Sequence, residues 1–360
     1  MDLAPRARLL GRLASLEVAR WWRYRRPGDV ADLARIALAT AGGAATVPGG
    51  PVHAQIEPTT RCNLRCAICE HSFWREAETD LPVATLARFL DAMPTLRSVD
   101  LTGIGEPLLH RELAHLVQAV TRRGLRTRLT TNGVLLEGAA ADLLLREPVD
   151  EVHVSFDAAR ARTFAVVRSG APFDRILGNV RAFAARAAAA HRPAVYLVLT
   201  LCAANLGELD EFVDLAAAVG ARPKVQGLLV FGAGLAHAAA NPLLVDPDGA
   251  GRALARAAAR AARLGLTLER PRPRSRSPLR CRLPWLTTYV LGDGTVLPCC
   301  LVGQSGDRAG LTAAHGRGTL GVTDLAAWWN GAAQRRLRAD LAHGLLRGPC
   351  TDCPVPWGRF

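Results

Sequence analysis

Three cysteines stand close together in the stretch Thr60-Arg61-Cys62-Asn63-Leu64-Arg65-Cys66-Ala67-Ile68-Cys69. Thiolates spaced by three and then two residues can wrap one corner of a four-iron cubane, and three ligands for four irons leave one iron open to a further ligand. Zinc is the competing reading, but structural zinc usually takes four protein ligands, commonly built from paired Cys-x-x-Cys units. Three buried thiols in so polar a loop would also make a poor core.

A second group lies near the C-terminus: Cys281, then Gly294 thirteen positions on, then Cys299 after four more residues, then Cys350-Thr351-Asp352-Cys353. Four thiolates can close a complete [4Fe–4S] site, and zinc would accept the same set. Cys300 is left over. Cys202 stands alone at the end of a predicted strand, where a thiol is either plain packing or a reactive group near the barrel mouth. Nine cysteines in a chain expected to stay in the cytoplasm favour metal or redox chemistry over disulfides.

These residues need a frame. From residue 53 onward, short β-rich runs at His53–Glu57, Ser98–Thr102, Arg126–Thr131, Glu151–Phe156, Val195–Leu201 and Val225–Val230 alternate with helical patterns. The helices are expected at Val83–Met93, Glu112–Arg123, Ala139–Arg146, Ile176–Ala190 and Leu206–Val219. Six strands alternating with helices imply parallel pairing and right-handed crossovers, hence an α/β sheet curled into a full or partial barrel. Its chemistry belongs at the C-terminal ends of the strands, and the three-cysteine loop directly follows the first of them.

Around that barrel the pattern changes. Residues 1–50 read as a helical extension, with Leu9, Leu13, Leu16 and Val18 at helical spacing. Residues 51–268 form the barrel. Three prolines and a run of arginines make 269–280 a linker. Residues 281–360 form a small cysteine-bearing domain, with a hairpin at Thr287–Leu291 and Thr295–Leu297 and a helix from Thr323 to His343. A net charge of +13 raises the question of anionic partners. Nearly all the positive charge is arginine in an alanine-rich chain, a compositional bias that does not point to specific nucleic acid. The run Arg20-Trp21-Trp22-Arg23-Tyr24-Arg25-Arg26 is a solvated helix face or a contact patch. The apolar stretch 36–47 falls short of the ~20 residues of a membrane span, and no signal peptide is visible, so a cytoplasmic location is expected.

The Cys-x-x-x-Cys-x-x-Cys loop after a first strand resembles the signature of the radical S-adenosylmethionine (radical SAM) superfamily, over roughly residues 52–230. The resemblance implies a partial (β/α)6 TIM-like barrel, with S-adenosylmethionine chelated by the open iron of a [4Fe–4S] cluster on Cys62, Cys66 and Cys69. One-electron reduction in the family gives methionine and a 5'-deoxyadenosyl radical that abstracts hydrogen. Ile68 departs from the aromatic residue that many members carry. Thr102-Gly103-Ile104-Gly105-Glu106-Pro107 resembles the family's Gly-Gly-Glu motif, which implies backbone approach at Gly103 and Gly105 and an ammonium contact at Glu106. Asn132 in Thr131-Asn132-Gly133 and Ser155 in Ser155-Phe156-Asp157 resemble positions near the cofactor, Ser155 as a ribose contact. Asp157 is either such a position or a cap of the next helix. Arg168 resembles an arginine that pairs with the methionyl carboxylate, although in a chain so rich in arginine it could be a surface residue.

The C-terminal cysteines resemble the shortened SPASM, or twitch, domain, which implies one auxiliary [4Fe–4S] cluster on Cys281, Cys299, Cys350 and Cys353. Choosing Cys299 over Cys300 rests on that spacing resemblance. Trp328-Trp329-Asn330 and Leu337-Arg338 resemble the helix before the final cysteine pair. A closed auxiliary cluster implies electron transfer, and the layout resembles that of a family dehydrogenase acting on an aminocyclitol. The expectation is therefore an oxidoreductase that oxidises or epimerises a small polar substrate, fed by a flavodoxin- or ferredoxin-type reductant. Maturation of a ribosomal peptide is the alternative, and a non-catalytic zinc- or cluster-binding protein the second.

Overall fold

Alternation decides the sheet. In each of six strands, β1 (His53–Ile56), β2 (Ser98–Leu101), β3 (Arg126–Thr131), β4 (Glu151–Ser155), β5 (Ala194–Leu201) and β6 (Arg222–Gly227), successive side chains point to opposite faces. One face carries Ala54, Ile56, Val99, Leu101, Leu129 and Val152, all buried in the main core. In the computed structural model, which describes residues 29–228, 241–271, 281–300, 318–320, 324–347 and 350, these six strands are parallel and lie in sequence order. The nine-stranded sheet runs β6-β5-β4-β3-β2-β1-β7-β8-β9, with β7 (Thr287–Val290), β8 (Thr295–Leu297) and β9 (Gly318–Thr319) completing it. It is an unclosed, partial barrel.

Helices cover the apolar face: α2 (Val83–Ala92), α3 (Leu113–Thr121), α4 (Gly138–Arg146), α5 (Ala161–Val167), α6 (Phe173–Ala189), α7 (Leu209–Ala218) and α8 (Pro247–Arg263). Their inward residues, among them Phe89, Leu116, Phe183 and Phe212, join the same core. A helix α1 (Asp29–Gly42) precedes β1 and contributes Leu33 and Ile36 to it. The expected strands and barrel helices are found with ends shifted by a few residues. The expectations for Leu9 to Val18, for the basic and aromatic run at 20–26, for most of the proline-arginine linker and for Cys353 fall outside the described residues.

Two findings differ from the sequence reading. The single helix expected over Thr323–His343 is two, α9 (Leu325–Trp329) and α10 (Ala332–Ala342). Asn330 and Gly331 break it: Gly331 is extended, and the Asn330 side chain exchanges hydrogen bonds of 2.9 Å with the backbone of Val47. The hairpin, moreover, continues the barrel sheet, because β7 pairs parallel with β1, His53 opposite Thr287 and Ile56 opposite Val290. Arg338 on α10 ties this region to the N-terminal side. Fully buried, it donates to the carbonyls of Pro284 (2.8 Å) and Ala45 (3.2 Å) and stacks over Trp329 at 4.4 Å.

Candidate active site

The first strand leads straight into the cysteine loop, and several bonds hold that loop. Arg61 donates to Asp80 through Nε (3.1 Å) and Nη2 (2.7 Å), and through Nη2 to the carbonyl of Leu109 (2.7 Å), fixing the loop's entry. His71 Nε2 lies 2.9 Å from the Thr60 carbonyl, Ser72 donates to Cys66 O (2.6 Å), and Ala67 N–H donates to Val167 O (3.0 Å). Cys62, Cys66 and Cys69 are free thiols, half-buried, and close enough for the charge of one to act on another. Burial raises all three, Cys69 to about 12. Such thiols ionise when a cation takes the proton's place, the condition for metal ligation.

The loop after β2 lies against this segment. A Cβ on Gly105 would stand 2.2 Å from the Thr59 carbonyl and 2.6 Å from that of Arg61, so only glycine lets the two backbones approach, and Glu106 N–H donates to Arg61 O at 2.7 Å. Glu106 is buried and takes three protein donors: Thr131 Oγ1 (2.7 Å) and Leu108 N–H (3.1 Å) on Oε1, and Asn132 N–H (2.6 Å) on Oε2. Burial raises its pKa, against those hydrogen bonds. With about four acceptor positions on a carboxylate, Glu106 anchors this loop to the end of β3 through three of them. Asn132 reaches the cysteine loop itself, its Nδ2 donating to Asn63 Oδ1 at 2.7 Å. Ser155 ends β4 on the polar face, half-buried.

Arg168 is no surface arginine. It is 5% exposed, donates Nη1 to Asp157 Oδ2 at 2.7 Å, and acts electrostatically on all three loop cysteines and on Glu106. Burial works against its charge, but Asp157 and the neighbouring cysteines outweigh that and raise its pKa. Asp157 does not cap α5, whose first turn has no side-chain cap. It adopts a left-handed φ of 62° and accepts Thr200 N–H at 2.7 Å, so it orients the arginine between β4 and β5. Cys202 ends β5 as expected. Its side chain is buried with Val167 and Leu228, against Ile68 of the cysteine loop, and burial raises the thiol.

The other face of the sheet is polar. It carries Gln55, Asp100, Arg128, Thr130, His153, Tyr196, Thr200 and Lys224, by the strand registers. Ion pairs fill its floor: Arg128 with Asp100, Arg126 with Glu151, and Lys224 with Glu269 at 3.6 Å. His153 Nε2 lies 3.2 Å from Glu151, and its ring meets Tyr196 at 4.5 Å. Burial holds His153 well below its ordinary value. Fully covered parallel strands normally read as continuous apolar runs. The alternation in Arg-Thr-Arg-Leu-Thr-Thr and Glu-Val-His-Val-Ser was the signal for this lined interior, and the sequence reading missed it along with Asn63 and Glu57.

In the C-terminal part, Cys350 is pushed up to about 11 by burial and by the charge of Cys299 beside it. Cys281 packs against the core just before β7. By register, β8 brings Leu297 opposite Tyr289, so Cys299 lies back toward the start of β7, on the same side as Cys281.

The family model of the radical SAM superfamily matches residues 56–216, and that of an iron-sulfur cluster-binding domain matches 281–354. The PqqA peptide cyclase of Ruegeria pomeroyi is 31% identical over 267 residues, covering 71% of this chain and 68% of that protein. The chain belongs to the radical SAM superfamily. Other relatives are matched over less of their length. The tungsten-containing aldehyde ferredoxin oxidoreductase cofactor-modifying protein of Pyrococcus furiosus is 29% identical over 163 residues, 43% of this chain and 45% of its own. Mycofactocin maturase MftC of Mycobacterium tuberculosis is 28% identical over 188 residues, 51% of this chain and 46% of its own. In fold, the crystal structure of Streptococcus suis SuiB bound to precursor peptide SuiA superposes with a TM-score of 0.67 at 16% identity, covering 91% of this chain and 78% of that one.

Membership brings a [4Fe–4S] cluster, S-adenosylmethionine and an auxiliary cluster. The radical SAM site fits the first two. Three free thiols stand on one loop, and Arg168 Nε is buried beside them with no hydrogen-bond partner. A buried guanidinium donor left open is costly unless an anionic group meets it. Among the described residues, no helix is long and apolar enough to cross a membrane.

Proposed function

We propose that this radical SAM enzyme matures a peptide, by crosslinking or epimerising a residue through hydrogen abstraction. The observation that carries the reading is the likeness to PqqA peptide cyclase across more than two thirds of both chains. The match to a mycofactocin maturase supports it. The first expectation, a small polar substrate such as an aminocyclitol, rests on the closed auxiliary cluster and its layout, and the relatives favour the peptide alternative over it.

When bound, the cofactors supply an electron and the adenosyl radical that removes a hydrogen atom from the substrate. The chain's own residues do the rest. Cys62, Cys66 and Cys69 hold the cluster. Arg168 offers its open donor to the methionyl carboxylate, Glu106 and Asn132 fix the neighbouring loop, and Ser155 contacts the ribose. Cys281, Cys299, Cys350 and Cys353 hold the auxiliary cluster, and a flavodoxin- or ferredoxin-type protein supplies the electron. The polar interior, with Gln55, Thr130 and Thr200 at its mouth, offers hydrogen bonds to amide groups.

The test is anaerobic incubation of the reduced, reconstituted chain with S-adenosylmethionine and synthetic peptides copied from short reading frames beside its gene. A panel of aminocyclitols and sugars runs in parallel. The expected result is 5'-deoxyadenosine formation stimulated by one peptide, which loses two mass units or takes up deuterium from heavy water. Cys66→Ala abolishes the nucleoside. Stimulation by a sugar or aminocyclitol and by no peptide would overturn the reading.

A further inference from the structure

Glu57 stands one residue beyond β1 and has no solvent exposure. Following the alternation of His53 and Gln55, it lies on the inner side of the sheet. Its carboxylate takes donors from three separate places. Oε2 accepts Ile104 N–H (3.0 Å), from the loop after β2, and Tyr289 O–H (3.2 Å), from β7. Oε1 accepts Gly292 N–H (3.2 Å), from the turn between β7 and β8. Packing repeats the message: a Cβ on Gly103 would sit 2.4 Å from Glu57 Cγ. The Gly103-Ile104-Gly105-Glu106 loop therefore rests on Glu57 at one end and on the carbonyls of Thr59 and Arg61 at the other.

With both oxygens engaged and no exposure, Glu57 acts through the groups it holds. Its role follows from sharing. A buried carboxylate that loses a donor keeps the cost of its burial without the compensation, so a shift of either loop weakens the acceptor that holds the other. We propose that Glu57 is a positioning residue that couples the cofactor-binding loop at residues 103–106 to the β7–β8 hairpin of the auxiliary-cluster region. Order in the hairpin and affinity for S-adenosylmethionine then rise and fall together. The idea rests on the proposed function and on residues 103–106 being its cofactor-binding loop, as the resemblance to the family's Gly-Gly-Glu motif implies.

The experiment compares the full-length chain, reconstituted anaerobically, with Glu57→Gln and Tyr289→Phe. Glutamine keeps the shape but turns an NH2 toward one of the donors. Amide hydrogen exchange by mass spectrometry reads peptides spanning 101–109 and 287–297. Binding of S-adenosylmethionine is read by equilibrium dialysis and by its effect on the electron paramagnetic resonance signal of the reduced cluster. In Glu57→Gln both peptides lose protection together, α6 keeps its own, and affinity falls about ten-fold at unchanged iron content, a coupling of the usual allosteric size. Should Glu57→Gln fail to fold, Tyr289→Phe decides. Its hydroxyl meets Glu57, yet the 101–109 peptide must still exchange faster and affinity fall about three-fold. Unchanged exchange at 101–109 in Tyr289→Phe, or loosening of only one loop in Glu57→Gln, overturns the coupling. Failure of the unsubstituted chain to make 5'-deoxyadenosine would count against the proposed function instead, and the exchange data would still decide the junction.

Discussion

At the scale of single residues, the pair of Arg168 and Asp157 does what a motif cannot announce. The family resemblance picks out Arg168, but nothing in Val167-Arg168-Ser169 says that the side chain is buried or which carboxylate holds it. That partner sits eleven residues earlier, in a left-handed conformation. Asparagine tolerates this conformation about as well as aspartate does, so Asp157→Asn isolates the charge. It leaves an arginine that is 5% exposed without its counter-ion, a change that costs about 3 kcal/mol in a buried pair. Urea unfolding measures it. A loss under about 1 kcal/mol would mean that the pair behaves like a surface salt bridge.

At the scale of elements, the strands were legible because parallel β-rich runs and intervening helices announce themselves locally. β3 is found with the expected bounds, Arg126–Thr131. Helix α8 was not foreseen, since its buried side is mostly alanine, at Ala250, Ala253, Ala257 and Ala261, and alanine is everywhere in this chain. Nor was the join of β7 to β1, a pairing between residues more than two hundred apart that leaves no local trace. The polar inner face also sets a pH dependence. His153 on β4 faces Glu151, the Tyr196 ring, Arg128 and Lys224, and burial, the largest cause, keeps it neutral. As pH falls below about 6.5, the unfolded chain binds a proton at this histidine while the folded chain does not, so stability drops, by at most about 1.4 kcal/mol per unit. Glu151, held low by its hydrogen bond to His153 and by Arg126 despite its burial, adds its loss only in the carboxylate range. His153→Gln removes the first of these. The difference in unfolding free energy between the native chain and His153→Gln should shrink by about 1 kcal/mol from pH 7.5 to 5.5. A constant difference would show that the buried histidine titrates as it does in water.

At the scale of the whole molecule, one sheet carries both cysteine sets and keeps them apart. The three-cysteine loop leaves the C-terminal end of β1, whereas Cys281 and Cys299 lie toward the start of β7, which runs parallel to β1. Among the described residues, Cys281 and Cys299 thus sit at the opposite end of neighbouring strands from Cys62, Cys66 and Cys69. Each cluster should therefore assemble without the other. Anaerobic reconstitution of the full chain should yield about eight irons and eight sulfides. Replacing Cys62, Cys66 and Cys69 together by alanine should leave about four, with 5'-deoxyadenosine formation lost. Replacing Cys281, Cys299 and Cys350 should also leave about four, now with S-adenosylmethionine still altering the spectrum of the remaining cluster. Zinc in place of iron at the second set would preserve its tetrahedral thiolate geometry but remove that site as an electron acceptor, favouring chemistry that returns a hydrogen atom to the substrate radical, such as epimerisation. A total of fewer than about six irons in the unsubstituted chain would sink the two-cluster arrangement.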